Sequence, residues 1–270
     1  MSLIVKSKVR SGFDHSARSY DGAARIQDET ARELFFRVAA LNIEQGSALD
    51  IGAGTGAISA RLAGSGMFKT IAAVDISFAM SVVAKARLEK YPLSVVIQAD
   101  AERLPVKEDS FDLVVSNLAL QWMTDITTAF EEMRLALKQG GRAELNFLAD
   151  GTFGEIKESA FAAMERAGKG VGPKLHPFPS VEAAHAAAEE AGFHIEMMET
   201  GSRVVNFGNV WELMRSLKKQ GVQNSFALSS LGLGRRGVMT LFAEEYNRRF
   251  GTGGGIKATY IVARMSAVKK

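Results

Sequence analysis

Three aspartates, each at the end of an apolar run, are the residues of this chain whose positions best suit ligand binding. Asp50 precedes the glycines of SALDIGAGTG (47–56), Asp75 follows TIAAV, and Asp100 follows LSVVIQA. A carboxylate at the tip of a strand can accept hydrogen bonds from an ammonium group, from ribose hydroxyls or from an exocyclic amine. One such aspartate alone would be an ordinary turn or helix-cap residue. The ordered set of three fits a ligand with an amino-acid head, a ribose and an adenine but no phosphate.

The glycine turn by itself does not specify the ligand. Gly52, Gly54 and Gly56 allow bare backbone to approach a bound molecule where a strand turns into a helix. Together with Ala57 they also satisfy G-x-G-x-x-G/A, the spacing of nicotinamide and flavin sites. Asp50 would repel a pyrophosphate at this turn, which favours the phosphate-free ligand. A nicotinamide-dependent oxidoreductase stays the rival from a different class.

Side chains that could act as general bases or bind metals are scarce. The chain has no cysteine and only four histidines, none of which lies in a motif or has another histidine three or four residues away: His15, His176, His185 and His194. We therefore expect no metal site, and we expect these histidines to be surface or helix residues. The composition favours a nucleophile that needs no base, such as a carboxylate, which is already ionised at neutral pH.

Charge is unevenly distributed along the chain. Residues 211–270 hold 11 Lys and Arg against 3 Asp and Glu, whereas residues 1–210 hold 22 against 27. A basic C-terminal quarter indicates an anionic partner or substrate, although solvated helix faces would give the same pattern. The first residues lack the apolar segment of a secretion signal, and no apolar run has the length of a membrane span. We therefore expect a cytoplasmic protein with no membrane contact.

Apolar runs and helical patterns alternate in the first half of the chain, which is typical of a parallel sheet covered by helices on both faces. An amphipathic helix is expected at 22–41, and strands are expected at 47–51, 70–76, 93–100, 111–117 and 141–149. The later pattern predicts helices at 152–168, 180–191, 209–220 and up to about 250, and strands in FHIEMMETG, SRVVNFG and IKATYIVARM (256–265). These late strands do not alternate regularly with helices, so at least one should be antiparallel at an edge of the sheet. We expect the helices between them to cap the carboxyl ends of the strands.

Four motifs occur in the order found in class I S-adenosylmethionine-dependent methyltransferases. DIGAGTG, VDISFAM, ADAERLP and FDLVVSNLALQW resemble that family over roughly residues 44–149. The resemblance implies an α/β fold with a doubly wound, mostly parallel seven-stranded sheet, an antiparallel edge strand and S-adenosyl-L-methionine as cofactor. It also implies which residues contact each part of the cofactor. The methionine part is contacted by Asp50, Gly52, Gly54 and Gly56, and the ribose by Asp75. The adenine is contacted by Ile76, Met80, Asp100 and Ala101, and the sulfonium by Asn117 and Leu118.

A narrower resemblance is to the malonyl-acyl-carrier-protein O-methyltransferases of biotin synthesis. Residues 9–34 are similar to the N-terminal lid of that family, 116–141 to its fourth motif and LMRSLKKQGV (213–222) to a segment of its cap, whereas 228–250 is only loosely alike. The resemblance implies methylation of the free carboxylate of a malonyl thioester, with an acidic acyl carrier protein as partner. Within such a site we expect Tyr20, a hydroxyl on the N-terminal segment, to be the lid residue at the reaction centre and Trp122 to be a wall of the acyl pocket. Arg215 and Lys218 lie three apart on one helix face and could grip the substrate carboxylate or the carrier's phosphate.

The resemblance divides the chain into three parts. They are an N-terminal lid with the first helix (1–41), a cofactor-binding core (42–150) and a segment that completes the sheet and adds a helical substrate-binding cap (151–270). Two alternatives stay open beside the oxidoreductase: an O-methyltransferase of a small polycarboxylate such as aconitate, and a cofactor-binding protein without activity. Nucleic-acid methylation is disfavoured, because the chain lacks an NPPY-type base-flipping motif.

Overall fold

A single mixed sheet is the centre of the structure, a computed structural model that describes residues 4–168, 175–221 and 236–270. Its path runs in the order β3-β2-β1-β4-β5-β8-β6, and the short β7 pairs with β8. The strands are β1 (Gly46–Ile51), β2 (Phe68–Asp75), β3 (Ser94–Gln98), β4 (Phe111–Asn117), β5 (Leu137–Leu148), β6 (Phe193–Phe207), β7 (Gly251–Thr252) and β8 (Gly255–Lys269).

The sheet is parallel from β3 to β5 and antiparallel at its other end. This arrangement confirms the predicted doubly wound, mostly parallel sheet with antiparallel pairing at one edge. The edge strand is β6, and the strand that runs in the opposite direction is β8, which lies between β5 and β6. Phe207, at the end of β6, pairs with Ile256, near the start of β8. β8 thus begins at the end of the sheet where β6 finishes, so it runs antiparallel to β6.

Helices cover both faces of the sheet and the carboxyl ends of its strands. They are α1 (Lys6–Ser16), α2 (Arg25–Ala39), α3 (Ala57–Ser65), α4 (Phe78–Leu88), α5 (Ile126–Ala136), α6 (Gly154–Arg166), α7 (Val181–Glu190), α8 (Val210–Lys219) and α9 (Arg236–Phe250), with a 3-10 turn at Leu120–Trp122. In the described part of the chain, no helix is long and apolar enough to cross a membrane.

Two features differ from the sequence predictions. The two short strands expected in residues 193–207 are one continuous strand, because β8 pairs with β6 from Phe193 to Phe207 and so supports it through Gly201. The N-terminal segment contains α1, which we did not predict. Only Gly12 and Ser16 of this helix are buried, so it lacks the apolar stripe by which helices are found in sequences. The first part of the segment that is only loosely like the family, residues 228–235, lies outside the described residues, and the rest of it forms α9.

The late helices pack beside the carboxyl end of β5 and the amino half of the antiparallel β8. Buried side chains of α8 and α9, among them Leu213, Leu217 and Phe242, share a cluster with Leu118 and Leu148 at the ends of β4 and β5. This packing places α8 beside the ends of the parallel strands, where open α/β sheets bind ligands. The division into lid, core and cap stays a prediction.

Candidate functional site

The glycine turn between β1 and α3 is held against β2 by backbone hydrogen bonds. The amides of Gly52 and Ala53 donate to the carbonyl of Val74 at 2.8 and 3.0 Å. Gly52 has a φ of +69°, and a Cβ there would lie 2.2 Å from the Cβ of Ala119. Gly54 also has a positive φ, +56°, but no atom lies within 4 Å of an added Cβ. The backbone at Gly54 therefore faces open space, where a ligand can approach it.

Asp75, at the end of β2, fixes this turn and faces the adjoining cleft. One carboxylate oxygen accepts a hydrogen bond from the amide of Gly54 at 2.8 Å, and the other accepts one from the amide of Ser77 at 2.8 Å. The side chain is buried, and burial raises the pKa of its carboxyl to about 6. The predicted ribose acceptor therefore also holds the glycine backbone in position.

Asp50 lies beneath the turn rather than in the cleft. It is fully buried, and one of its oxygens accepts a hydrogen bond from the hydroxyl of Ser59 on α3. Its other oxygen is buried without a hydrogen-bond partner in the described structure. Burial raises the pKa of this carboxyl to about 7, and the nearby charge of Asp75 acts in the same direction. An unpartnered acceptor below a glycine turn suits a cationic donor such as an ammonium group.

Asp100, beyond the end of β3, carries an ion pair from the N-terminal helix. The ammonium of Lys6 lies 2.5 Å from one oxygen of Asp100 and 2.9 Å from an oxygen of Glu102. A second contact fixes the same helix, since Asp14 accepts hydrogen bonds from the hydroxyl of Ser77 and the amide of Ala79, at the start of α4. The helix α1 is thus held over the carboxyl ends of β2 and β3 by polar contacts.

Most of the predicted cofactor residues line one cleft, which we call the cofactor cleft. Its empty space, including the part open to solvent, is about 730 Å³. Of the predicted residues, Asp50 and Gly56 do not line it. Those that do are Gly52, Gly54, Asp75, Ile76, Met80, Asp100, Ala101, Asn117 and Leu118, together with Tyr20 and Trp122.

A second cavity lies on the other side of the glycine turn. It shares Gly52, Gly54, Tyr20 and Asn117 with the cofactor cleft. It is also lined by two ion pairs that sequence reasoning missed, Arg61 with Asp28 and Arg87 with Asp21. No local pattern indicates these pairs, because each joins the N-terminal region to a distant helix.

A third space, here called the aromatic cavity, adjoins the cofactor cleft. Tyr20 lines all three cavities, and Trp122 lines both the cleft and the aromatic cavity. The hydroxyl of Tyr20 makes no hydrogen bond to the described residues, and burial raises its pKa, so it is a protonated donor at neutral pH. The aromatic cavity is lined by Phe13, Tyr20, Gln27, Leu118, Gln121, Trp122, Leu148, Phe153, Phe178, Leu217, Gln220 and Tyr260.

Two glutamines in the aromatic cavity were also missed from the sequence. The side-chain amide of Gln27 donates to the side-chain oxygen of Gln220 at 2.9 Å, and that of Gln220 donates to the carbonyl of Ala23 at 3.1 Å. The side-chain oxygen of Gln27 is buried without a partner in the described structure. Asn117, in the cofactor cleft, donates to the backbone carbonyl of Gln27 at 3.0 Å. These bonds join the floor of the cleft to the wall of the aromatic cavity.

One histidine does not fit the expectation of a surface or helix residue. His176 is partly buried, with Nε2 at 2.8 Å from the carbonyl oxygen of Gln121 and its ring centroid 4.5 Å from that of Trp122. Burial lowers its pKa to about 4, so the imidazole is neutral at physiological pH. It supports the turn that carries Trp122 and is absent from the lining of the three cavities.

Arg215 and Lys218 lie on the exposed side of α8. Neither belongs to the lining of the three cavities, whereas Leu217 and Gln220, from the same part of the chain, line the aromatic cavity. The geometry of the described residues thus gives no support to a grip on the substrate carboxylate inside the cavity. A contact with the carrier stays a prediction.

Comparison with known proteins agrees with this geometry. A family model described as a methyltransferase domain matches residues 49–145. Among solved structures, the YcgJ protein of Bacillus subtilis aligns with a TM-score of 0.62 at 18% identity, over 88% of this chain and 98% of that one. Geranyl diphosphate C-methyltransferase of Streptomyces coelicolor, solved with S-adenosyl-L-homocysteine, aligns with a TM-score of 0.53 at 15% identity, over 92% and 80%. The fold and the site define a class I, S-adenosylmethionine-dependent methyltransferase.

Full-length relatives define the family more narrowly. The malonyl-[acyl-carrier protein] O-methyltransferase of Geobacter sulfurreducens is 35% identical over 260 residues, which are 96% of this chain and 97% of that protein. The chain belongs to the family of malonyl-[acyl-carrier protein] O-methyltransferases. The protein of that name from Methylovorus is 30% identical over 96% of this chain and 88% of its own length. The biotin biosynthesis bifunctional protein BioHC of Saccharophagus degradans is 28% identical over 98% of this chain and 47% of its own length.

The cofactor is S-adenosyl-L-methionine, and the described residues fit it. The backbone at Gly54 is open to a ligand, whereas the Cβ of Ala119 leaves no room for a side chain at Gly52. The unpartnered oxygen of Asp50 lies below the same turn, and Asp75 presents a buried carboxylate to the cleft. These groups suit an ammonium-bearing, phosphate-free nucleoside.

Proposed function

We propose that this enzyme methylates the free carboxylate of a malonyl thioester, carried by acyl carrier protein, in the synthesis of biotin. The observation that carries the proposal is the aromatic cavity, which meets the cofactor cleft at Tyr20, Leu118 and Trp122. No lysine, arginine or histidine belongs to its described lining. Such a cavity suits a thioester whose carboxylate reacts without a base. The names of the full-length relatives give the same substrate.

The cofactor contacts in this proposal follow the lining of the cleft. Asp75 accepts the ribose hydroxyls, and Ile76 and Met80 flank the adenine. Asp100, with the backbone of Ala101, contacts the edge of the adenine. Gly52 and Gly54 hold the methionine part by their backbone, and Asn117 and Leu118 lie under the sulfonium. Gly56 and Asp50 do not line the cleft and act on the methionine part through the turn that they support.

The chain has only to align the reactants and exclude water. When bound, S-adenosylmethionine supplies a methyl group on a positively charged sulfur, and transfer cancels that charge together with the charge of the carboxylate. A malonyl carboxylate is ionised at neutral pH, so no residue has to remove a proton. Apolar walls such as Phe153 and Leu148 weaken the hydration of the carboxylate and so favour a reaction that cancels charge.

Tyr20 is the residue proposed to orient the substrate. It lies where the three cavities meet, and its hydroxyl is free of other hydrogen bonds in the described structure. Its phenol can donate to the carboxylate oxygen that does not receive the methyl group, which fixes the attacking oxygen. Trp122 forms the wall between the cleft and the aromatic cavity. The ring of Phe13, 5.5 Å from that of Trp122, holds the lid helix α1 against this wall.

The proposal extends to the organisation of the chain and its place in the cell. Residues 1–41 form a lid with the first helix, 42–150 the cofactor-binding core, and 151–270 the segment that completes the sheet and caps the substrate. The acyl carrier protein is an acidic partner, in keeping with the basic C-terminal quarter. We place the enzyme in the cytoplasm, without a nucleic-acid or membrane partner.

Mass spectrometry of the carrier protein tests the substrate. The purified enzyme is incubated with S-adenosylmethionine and malonyl-acyl carrier protein, and the carrier is expected to gain the mass of one CH₂. Acetyl-acyl carrier protein, which lacks the free carboxylate, is the matched control and should stay unchanged. Aconitate is the second arm. Methylation of aconitate without methylation of the malonyl carrier would contradict the proposal and favour a polycarboxylate methyltransferase.

A further inference from the structure

The two sides of α8 differ in chemistry. Its inner side contributes Leu217 to the lining of the aromatic cavity. Its outer side carries an aromatic residue and three cations, all exposed, which we call the outer face of α8: Trp211, Arg215, Lys218 and Lys219. At 3.6 residues per turn, positions 211, 215 and 218 form one stripe, and Leu217 lies on the opposite side. One helix therefore separates the solvent from the aromatic cavity.

The cations of the outer face are not neutralised by the described residues. None of the three forms an ion pair there. The only acidic residue of the helix, Glu212, accepts a hydrogen bond from the amide of Gly208 at 2.7 Å and so is engaged at the start of the helix. The guanidinium of Arg215 donates through Nε to the carbonyl of Trp211 at 3.3 Å, which keeps it one turn from the indole.

The exposed tryptophan has no structural explanation within the described fold. The helix dipole favours cations such as Lys218 and Lys219 in the last turn of α8. It does not explain why Trp211, in the first turn of this helix, is 47% exposed. Tryptophan and arginine are the residues that most often supply binding energy at protein interfaces. An exposed aromatic ring among unpaired cations is the pattern expected of a surface that binds an acidic protein.

We propose that the outer face of α8 is the docking surface for the acidic carrier protein. This inference rests on the proposed function, and it names the surface that receives the carrier. The cations pair with carboxylates of the carrier, and Trp211 packs against an apolar side chain between them. Because a helix is about 10–12 Å across, a carrier bound there holds its flexible arm within reach of the aromatic cavity.

Two substrates separate docking from catalysis. The double variant Arg215→Glu/Lys218→Glu and the single variant Trp211→Ala are assayed with malonyl-acyl carrier protein and with malonyl-pantetheine, which lacks the protein. We expect kcat/KM for the carrier substrate to fall by about 30-fold or more, as for the loss of a hot-spot contact. We expect kcat/KM for malonyl-pantetheine to stay within about two-fold of wild type, because this substrate has no carrier protein to bind the outer face of α8.

Lys107→Glu is the matched control. Lys107 is exposed in the turn that precedes β4, at the amino ends of the parallel strands, and forms no ion pair in the described structure. Its charge reversal should change neither kcat/KM. Raised salt should lower the wild-type rate with the carrier substrate and raise that of the double variant, because screening weakens both the attraction in the wild type and the repulsion that the reversed charges create.

The possible results point to different conclusions. Equal losses on both substrates would overturn the docking surface, because they would show damage to the site itself. An unchanged rate on the carrier substrate in both variants would overturn it as well. If the wild-type enzyme methylates neither malonyl substrate, the proposed function fails, and the docking surface fails with it. Loss on the carrier substrate alone, in the variants and not in the control, supports the inference.

Discussion

The ammonium of Lys6 lies 2.5 Å from a carboxylate oxygen of Asp100, the residue proposed to contact the adenine. The other carboxylate oxygen of Asp100 accepts a hydrogen bond from the amide of Glu102 at 3.0 Å, so both oxygens are engaged before any ligand binds. Lys6 belongs to α1, which also reaches α4 through Asp14. The lid helix thus holds a cation on the carboxylate that is proposed to accept the adenine amine. In the proposed contact, binding of the adenine therefore competes with an ion pair.

Substitution of Lys6 tests this competition. We expect Lys6→Met to bind S-adenosylhomocysteine up to about five-fold more tightly than wild type, because a partly exposed ion pair contributes about 0–1 kcal/mol. Isothermal titration calorimetry measures the affinity, and Arg10→Met, at an exposed position of the same helix, controls for loss of a cation from α1. A weaker affinity in Lys6→Met would contradict the competition and show that Lys6 instead closes the lid over the ligand.

Asp75 is expected to matter more than any other cofactor residue, because its carboxylate serves both the ligand and the glycine turn. Asp75→Ala loses the proposed ribose acceptor and releases the amide of Gly54. We expect the affinity for S-adenosylhomocysteine to fall by at least about 30-fold, the effect of losing roughly 2 kcal/mol of charge-assisted hydrogen bonding. Asp75→Asn, which keeps one acceptor oxygen, should lose less. Calorimetry on both variants checks the order, and unchanged binding in Asp75→Ala would refute the assignment of the cleft.

Asp50 predicts a pH dependence of stability with a definite sign. Burial raises the pKa of its carboxyl to about 7 in the folded protein. The unfolded chain has the ordinary value near 4, so between about pH 4 and pH 7 the folded state binds the extra proton and stability falls as pH rises. Asp50→Asn removes this titration. The difference in Tm, variant minus wild type, should therefore increase as the pH is raised from about 5 to about 8. Calorimetric melts of both proteins measure this difference. A constant difference would contradict the raised pKa.

The same carboxyl predicts a pH dependence of cofactor binding in the opposite direction. In the proposed site, ionised Asp50 attracts the ammonium of the cofactor from beneath the glycine turn, so affinity for S-adenosylhomocysteine should rise through about pH 7 in the wild type. Asp50→Asn should remove this rise and bind more weakly at the higher pH. Parallel titrations of both proteins across this range supply the comparison. Identical pH profiles would show that the charge of Asp50 does not act on the ammonium.

Tyr20 is expected to affect the chemical step more than cofactor binding. Tyr20→Phe keeps the ring near Phe13, at a centroid distance of 6.3 Å, but removes the hydroxyl that is proposed to orient the carboxylate. We expect kcat to fall by about 10- to 100-fold, in line with the loss of an orienting hydrogen bond. The affinity for S-adenosylhomocysteine should stay within about three-fold, a change below 1 kcal/mol. Single-turnover rates and calorimetry separate the two effects, and a parallel loss of both would assign Tyr20 to cofactor binding instead.

Local sequence signals determined the features that a strand and its following turn specify on their own. The apolar runs predicted β1 to β4, and the glycines predicted a sharp turn from strand to helix. In the structure, Gly52 and Gly54 adopt positive φ at this turn. Asp75 was predicted at a strand tip and lies there, in contact with Gly54. These features depend on backbone conformation and burial periodicity, which a few neighbouring residues fix. The methyltransferase class was predicted from the resemblance of four ordered motifs to a known family.

Tertiary packing decided what those signals could not. Lys6 meets Asp100 across 94 positions and Gln27 meets Gln220 across 193, and no periodic pattern encodes which distant elements meet. Asp50 turned towards Ser59 beneath the cleft, and Arg215 turned to solvent, because the packing of α3 and α8 sets the direction of each side chain. The sequence alone determined which groups end the strands of the cofactor cleft. Only the tertiary structure decided which of them face the ligand, because that depends on the elements that pack around them.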